Sequence, residues 1–357
     1  MTVTSSPPGI PDPERLTAWI SGNLDGAGPA ELSGIQLIVG GRSNLTYRLS
    51  LANGSAGPAD LVLRRPPLGH VLPTAHDMSR EFRVLSGLWG TAVPVARPLA
   101  MCADTEVIGA PFYLMAYVPG QVMRTRQDTS ALTEAQAASL SERLADMLAA
   151  IHGTDLAATG LTGLGKGAGY LRRQLDRWQR QMEQSRSRDV PGYDELVARL
   201  TAAIPPEGDV TLVHGDFRLD NVLVTVDPKP RIAAVVDWEM ATLGDPLADL
   251  GLTLVYWAEA GEREQATPGI GTDGTTAPGF MSRNEFATAY SERTGRDVSR
   301  ISYYIAFGYF KLAVVVEGIY ARFLKKQTVG EGFGREGELV PALVARAHEV
   351  LDADDPA

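Results

Sequence analysis

One stretch, residues 210–224, limits the possible folds of this 357-residue chain more than any other. It reads Val-Thr-Leu-Val-His-Gly-Asp-Phe-Arg-Leu-Asp-Asn-Val-Leu-Val. An apolar run enters it and another leaves it, which predicts two short buried strands on either side of a polar loop. A histidine, two aspartates and an asparagine are costly inside a core unless each is paired or binds a metal. We therefore expect these side chains to be held by one another or by a metal ion.

The spacing within this loop indicates its chemistry. Asp216 follows His214 by two residues, and Asn221 follows Asp216 by five. The next apolar run, residues 231–236, ends at Asp237, which lies 21 residues after Asp216. This order is typical of phosphoryl-transfer sites, in which the first Asp acts as the base and the Asn and the second Asp hold magnesium.

Several segments together resemble a known family. The loop and the following Val-Val-Asp-Trp-Glu (235–239) resemble the aminoglycoside phosphotransferase and choline kinase group of kinase-like enzymes. Four other segments resemble the branch of that group associated with acyl-CoA dehydrogenases. They are Leu-Arg-Arg-Pro-Pro (63–67), Ala-His-Asp-Met-Ser-Arg-Glu-Phe (75–82), Gly-Ala-Pro-Phe-Tyr-Leu-Met (109–115) and Gly-Asp-Pro-Leu-Ala-Asp-Leu-Gly (244–251). The resemblance runs in order from about Ile35 to Trp257, and this order makes it specific.

The resemblance implies a protein-kinase-like α+β fold with two lobes. We expect a small β-rich nucleotide-binding lobe over residues 1–118, of which 1–11 are Ser- and Pro-rich and predicted to be disordered, and a larger helical lobe over 119–357. The resemblance also implies ATP and Mg²⁺ as cofactors and a small-molecule hydroxyl group as the acceptor. Asp216 would be the catalytic base, His214 would order the loop, and Asn221 and Asp237 would hold Mg²⁺.

Two groups of candidate nucleotide contacts lie in the first lobe, at a turn and at the end of a strand. A strand over 35–39, a glycine-bearing turn and a returning strand over 45–51 would lay Gly41, Ser43 and Asn44 over the phosphates. Pro94 and Pro98 predict a loop, followed by an apolar strand over 111–117. The backbone groups of Ala116 or Val118, at the end of that strand, would bind adenine.

A buried ion pair is predicted in the same lobe. The helix from about Ala75 to Trp89 carries an apolar face, and Glu81 projects into the arc of that face. A buried acid needs a partner, and the partner that the resemblance implies is Arg64, which would also bind the α- and β-phosphates. Arg65, which points to the opposite face of the same strand, is the rival candidate for the phosphate contact.

Composition excludes some partners. The net charge of −10 argues against nucleic acid or an anionic membrane as the main partner. A single cysteine, Cys102, and an amino terminus without a signal-peptide pattern predict a protein of the reducing cytoplasm. The apolar run 301–324 is interrupted by three charged residues and is predicted to be a buried helix rather than a membrane span. The oligomeric state is left open.

The acceptor is the least determined feature. A polycationic aminoglycoside needs several carboxylates beside Asp216, whereas the helices after residue 280 are expected to offer it mostly Tyr, Phe and aliphatic residues, with Glu317 and few other acids at inward positions. We therefore expect an apolar or amphiphilic hydroxylated metabolite, such as a hydroxy-acid or its thioester. The alternatives are an aminoglycoside 3'-type phosphotransferase, a pseudokinase that binds nucleotide without turnover, a metal-dependent hydrolase and a protein kinase.

Overall fold

The chain forms two compact units. The computed structural model describes residues 7–24, 31–38, 44–52, 60–68, 76–186, 188–261, 273–325 and 336–354. The first unit comprises Met1–Gly120 and Ala233–Glu239, and the second comprises Gln121–Ile232 and Met240–Ala357. A short later segment of the chain, 233–239, thus belongs to the first unit.

The first unit is built on an antiparallel sheet. Its elements are α1 (Pro13–Asn23), β1 (Leu32–Leu37), β2 (Leu45–Leu51), β3 (Asp60–Arg65), α2 (Met78–Leu88), β4 (Pro98–Cys102) and β5 (Phe112–Ala116). The five strands lie in the order β1-β2-β3-β5-β4. The prediction of a loop at Pro98 is wrong, because Pro98 begins strand β4. This strand lies at the edge of the sheet, where the missing N–H of proline is tolerated.

The two faces of the sheet serve different purposes. Leu61 and Leu63 of β3 join the core that contains Leu16 and Ile20 of α1, a helix capped by Asp12 and begun by Pro13. Because side chains alternate along a strand, Arg64 points to the opposite face. Helix α2 packs on the sheet through β4 and β5 and brings Glu81 to Arg64.

The second unit is mainly helical. Its elements are α3 (Arg126–Thr129), α4 (Glu134–His152), α5 (Tyr170–Ser185), α6 (Tyr193–Ala202), β6 (Thr211–Val213), β7 (Val222–Thr225), β9 (Thr242–Gly244), α7 (Pro246–Tyr256), α8 (Arg283–Thr294), α9 (Ile301–Leu324) and α10 (Glu336–Asp354), and β8 (Arg231–Val235) begins in it and ends in the first unit. Strands β6 and β9 pair antiparallel. The polar loop, residues 214–221, connects β6 to β7 and is held against α7 and α9.

Helix α9 forms the centre of the second unit. It is long and apolar enough to cross a membrane by length and composition, but 67% of its most apolar window is buried inside the protein. Tyr303 and Tyr304 are buried in the core, and the carboxylate of Glu317 pairs with Arg188 at 3.2 Å. These contacts agree with the predicted buried helix.

Candidate active site

Asp249, in the first turn of α7, anchors the backbone of the polar loop. Its side chain is fully buried and accepts the N–H groups of His214 at 2.6 Å and Gly215 at 2.9 Å. Gly215 has a φ of +82°, and a Cβ there would lie 2.8 Å from the carbonyl oxygen of Met240. Only glycine fits at this position without strain, and the bonds to Asp249 hold the backbone of the loop at this turn.

A buried histidine supports Asp249. Nε2 of His152 lies 3.2 Å from the Asp249 carboxylate, and Nδ1 lies 2.7 Å from the hydroxyl of Tyr290. Burial lowers the pKa of His152. Burial would raise the pKa of Asp249, but the bond from His152 and the backbone N–H group of His214 hold it below its ordinary value. His152 therefore bridges Asp249 and Tyr290, a tertiary role that its position at the end of α4 does not reveal.

The carboxylate of Asp216 has a hydrogen-bond donor and an ion-pair partner. Asn221 Nδ2 donates to Asp216 Oδ2 at 2.9 Å and to the carbonyl oxygen of the same residue at 2.8 Å. Arg218 Nε lies 3.5 Å from Oδ2 and 3.0 Å from the carboxylate of Asp220. Burial and the neighbouring charge of Asp216 raise the pKa of Tyr256 well above its ordinary value, so this hydroxyl stays neutral beside the carboxylate.

His214 is placed to order the loop. The side chain is completely buried, and its ring Nδ1 lies 3.3 Å from the backbone N–H of Asp216. An N–H can only donate, so Nδ1 accepts in this contact and carries no proton. The ring nitrogen nearest to Asp216 is thus used by the backbone, which fits the predicted loop-ordering role.

In the first unit, Arg64 is the centre of four charged groups that we call the Arg64 cluster: Arg64, Glu81, Asp237 and Glu239. Arg64 Nε donates to Glu81 at 3.0 Å, Nη2 bonds to Asp237, and Nη2 lies 4.0 Å from Glu239. The side chains of Arg64 and Glu81 are only 11% and 3% exposed. Burial acts to lower the pKa of Arg64, but the surrounding carboxylates raise it above its ordinary value, so this cation is permanent. The predicted pair of Arg64 and Glu81 is present.

Arg65 does not join this cluster. Its Nη1 donates to the backbone carbonyl oxygens of Gly9 and Ile108, and its Nε to that of Pro66. The side chain is buried on the opposite face of the sheet and ties the amino-terminal segment to β3. Arg64 is therefore the basic residue of β3 that faces the acids of the cluster.

The predicted phosphate turn is described only at its end. Gly41 and Ser43 lie outside the described residues, whereas the side chain of Asn44 is buried. Asn44 Nδ2 donates to Glu239 at 2.9 Å, and Asn44 Oδ1 lies 2.9 Å from Nδ1 of His76. Both ends of this amide are thus bonded within the protein. Sequence reasoning gave no role to His76 or Glu239, although both lie in segments that carry the family resemblance.

Two residues of this region have unusual backbones. His76 and Asp237 have φ values of +62° and +65°, in the left-handed region that residues other than glycine rarely adopt. Such conformations concentrate at functional sites, where surrounding contacts maintain them. At Asp237 the contact with Arg64 is such a restraint.

The predicted adenine contacts lie at the end of β5. The N–H of Ala116 donates at 2.9 Å to the carbonyl oxygen of Arg97, the residue before β4, and is therefore already bonded. A cavity of about 480 Å³ touches Ala116 and Val118, and its other walls include Trp89 and Arg97. Arg64 does not line this cavity, so the assignment of Ala116 and Val118 to adenine stays a prediction.

Two oxygen atoms fit the predicted Mg²⁺ ligands. Asn221 Nδ2 is used by Asp216, and Asn221 Oδ1 accepts no bond from a described residue. Asp237 Oδ1 accepts from Arg64, and among the described residues no hydrogen bond involves its other carboxylate oxygen. Amide and carboxylate oxygens are hard ligands of the kind Mg²⁺ takes, together with waters and substrate phosphates. Within the described ranges, no three His, Cys, Asp or Glu side chains form a metal cage by themselves.

Lys311 of α9 is a contact of the polar loop that sequence reasoning missed. Its Nζ donates to the carbonyl oxygen of Gly215 at 2.7 Å. Arg218 and Tyr256, which contact Asp216, were missed as well. The available signal was a lysine within an otherwise apolar helix, but the sequence does not indicate that it reaches a loop almost a hundred positions earlier.

Comparison with known proteins gives the family. The model of a phosphotransferase enzyme family matches residues 34–282. Acyl-CoA dehydrogenase family member 10 of Mus musculus is 33% identical over 309 residues, which are 86% of this chain and 28% of that protein. Acyl-CoA dehydrogenase family member 11 of Gallus gallus is 33% identical over 329 residues, 90% of this chain and 41% of that protein. The chain thus spans less than half the length of these curated relatives.

Solved structures show the same fold. A crystal structure from Ralstonia eutropha, assigned by name to the aminoglycoside phosphotransferases, has a TM-score of 0.79 at 31% identity and covers 96% of this chain and 98% of that chain. An ethanolamine kinase of Plasmodium vivax has a TM-score of 0.60 at 10% identity, covering 90% and 83% of the two chains. The predicted family and fold are confirmed: the chain belongs to the phosphotransferase enzyme family and has its kinase-like α+β fold.

Proposed function

We propose that this protein is an ATP- and magnesium-dependent O-phosphotransferase that acts on a hydroxyl group of a small molecule. The observation that carries this proposal is the polar loop, in which Asp216 is held by Asn221 while the backbone before it is anchored by Asp249. A carboxylate fixed in this way is suited to orient an attacking hydroxyl group and to accept its proton.

The chemistry requires positioning and charge neutralisation more than covalent help. Asp216 would orient the acceptor hydroxyl, and His214 would keep the loop in shape through the N–H of Asp216. Because the proton leaves late in a loose transition state, Asp216 needs correct placement more than an elevated basicity. The bond from Asn221 to Asp216 supplies that placement.

The Arg64 cluster supports the nucleotide part of the proposal. Arg64 is a permanent cation with fork geometry, suited to bind phosphate oxygens, and Glu81 fixes its orientation. Asn221 Oδ1 and the carboxylate of Asp237 would hold Mg²⁺, which when bound neutralises charge on the transferred phosphoryl group. A structure of the same fold at 17% identity was crystallised with AMP-PNP and hygromycin B, which supports a nucleotide as donor.

For the acceptor we propose an apolar or amphiphilic hydroxylated metabolite, such as a hydroxy-acid or its thioester. Arg218 pairs with Asp216 and Asp220, and the ammonium group of Lys311 also lies at this loop, so these carboxylates already have cationic neighbours to compete with a polycationic sugar. Glu317, an acid considered for an acceptor pocket, is already paired with Arg188. The names of the relatives that contain a similar segment point to acyl compounds.

The test is turnover with Mg²⁺-ATP and a matched panel of acceptors. Hydroxy-acids, their coenzyme A thioesters, kanamycin-type sugars and a mixed protein substrate would be compared by kcat/KM, with the phosphoester identified by ³¹P NMR. We expect the hydroxyacyl compounds to give the highest values. A value above ~10⁴ M⁻¹s⁻¹ for an aminoglycoside, within the range of a working enzyme on its own substrate, would contradict the acceptor class. ATP binding without any turnover would instead favour the pseudokinase alternative.

A further inference from the structure

Lys311 is an unusual residue in its helix. Helix α9 contains only three charged residues, Lys311, Glu317 and Arg322. Glu317 pairs with Arg188, but no carboxylate of a described residue lies within 4.0 Å of the Lys311 ammonium group. Among the described residues, Lys311 therefore has no carboxylate as an ion-pair partner. A buried ammonium group destabilises the fold unless its hydrogen bonds offset the loss of hydration.

The ammonium group has one close partner and several charged neighbours. It donates to the Gly215 carbonyl oxygen at 2.7 Å and lies 5.9 Å from the ring centre of Trp178. Burial lowers the pKa of Lys311, and the charge of Arg177 acts in the same direction, whereas Asp216 and Asp249 oppose both. The strongest directional contact of Lys311 is therefore with the backbone of the polar loop.

That contact fixes one particular peptide group. The carbonyl oxygen of Gly215 and the N–H of Asp216 belong to the same planar peptide unit. Lys311 holds the oxygen, and the ring of His214 accepts the N–H at 3.3 Å. Gly215 has a φ of +82°, a position where the absence of a Cβ allows the following peptide to rotate. A rotation of this unit would turn the carboxylate of Asp216 away from its present direction.

We propose that Lys311 is a positioning residue for phosphoryl transfer, locking the Gly215–Asp216 peptide so that the carboxylate of Asp216 is aimed at the acceptor. This inference rests on the proposed function of Asp216. Lys311 acts through the loop, and a misplacement of about 1 Å in such a group costs roughly 10²-fold in rate.

Measuring stability together with activity distinguishes a positioning role of Lys311 from a role in core packing. Replacing the desolvated ammonium group by an apolar side chain of similar length removes the cost of burying a charge but takes away the donor of the Gly215 carbonyl oxygen, so the two effects on stability oppose each other. Lys311→Met keeps the volume and removes both the charge and the donor. If Lys311 served only the core, this variant would lose stability and activity together, or neither. If Lys311 positions the loop, the variant keeps its stability and loses turnover.

The experiment compares Lys311→Met with Lys325→Met, a control at the exposed lysine that follows the same helix. We expect Lys311→Met to unfold within about 2 °C of the wild type and to bind Mg²⁺-ATP within about twofold, while kcat falls ~30-fold or more. Amide hydrogen exchange of a peptide covering residues 212–221 should accelerate. The control should match the wild type in all four measurements.

Two outcomes would overturn the inference. The first is a Lys311→Met enzyme with kcat within threefold of the wild type and unchanged exchange in the loop. The second is a parallel fall in stability, nucleotide affinity and kcat, which would make Lys311 a structural residue only. If the wild type turns over no acceptor, the proposed function fails, but the exchange measurement still decides whether Lys311 holds the loop.

Discussion

The two polar clusters of this protein are held in different ways. The Arg64 cluster consists of charged side chains that contact one another. The polar loop is instead held by hydrogen bonds from its backbone to the side chains of Asp249, His214 and Lys311. Side-chain ion pairs can exchange partners when a charged ligand arrives, whereas backbone bonds fix the direction of a residue before any ligand binds. The first cluster is therefore suited to respond to a ligand and the second to present a preorganised group.

The largest expected effect tests the preorganised loop. Asp216→Asn preserves the shape of the side chain and removes the charge that accepts a proton. We expect kcat to fall by ~10² or more, the scale of a lost general base, with Mg²⁺-ATP binding changed by no more than a few-fold. Steady-state kinetics and calorimetry measure the two quantities.

Asp220→Asn is the matched control, because Asp220 is the other acid of the loop and contacts Arg218 as well. It should retain turnover within a few-fold. If Asp216→Asn keeps more than half of its kcat, the hydroxyl group is activated elsewhere.

The next effect concerns the anchor of the loop. Asp249→Asn removes a charge that accepts two backbone N–H groups and contacts His152. Bonds to a buried charge are worth roughly 1.5–3 kcal/mol each, and the amide keeps one accepting oxygen, so we expect a loss of about 2–3 kcal/mol in the free energy of unfolding. Urea denaturation at neutral pH measures it. No loss would show that the carboxylate is dispensable for the loop.

The pH dependence of this loss has a definite sign. The folded-state pKa of Asp249 is depressed, so its contribution is present above the unfolded-state value of about 4 and disappears as the pH falls through the folded value. The difference between Asp249→Asn and the wild type should therefore shrink in acid. Burial raises the pKa of Asp245, so the folded wild type gains stability relative to Asp245→Asn as the pH falls. Equal pH profiles for the two variants would contradict this assignment.

The smallest expected effect tests the Arg64 cluster. Glu81→Gln should weaken nucleotide affinity several-fold by loosening Arg64, and Arg64→Ala should weaken it further. In a double-mutant cycle we expect a coupling energy of roughly 1 kcal/mol, because residues of one ion-pair network act as a unit. Arg65→Lys serves as a control on the opposite face. Additive effects of the two changes would show that Glu81 does not position Arg64 for the nucleotide.

The sequence predicted the parts of the site that depend on local order. The apolar runs on either side placed the polar loop between two strands, and helical projection placed Glu81 on a buried face. Both placements rest on the local pattern of apolar residues. The family resemblance then implied Arg64 as the partner of Glu81, and the pair is present. The sequence did not predict the contacts of Lys311 or His152, which join residues 96 and 97 positions apart and depend on how helices pack. The strand β4 was missed because Pro98 was interpreted only as a breaker.

The membership of residues 233–239 in the first unit limits how this protein can be divided. Two of the four members of the Arg64 cluster, Asp237 and Glu239, come from this returning segment. A recombinant fragment ending at Gly120 would retain the guanidinium of Arg64 with Glu81 as its only acid from the cluster. Expression of the amino-terminal part for binding studies or crystallisation would therefore require residues 233–239 to be supplied, either by a designed linker after Gly120 or as a second peptide.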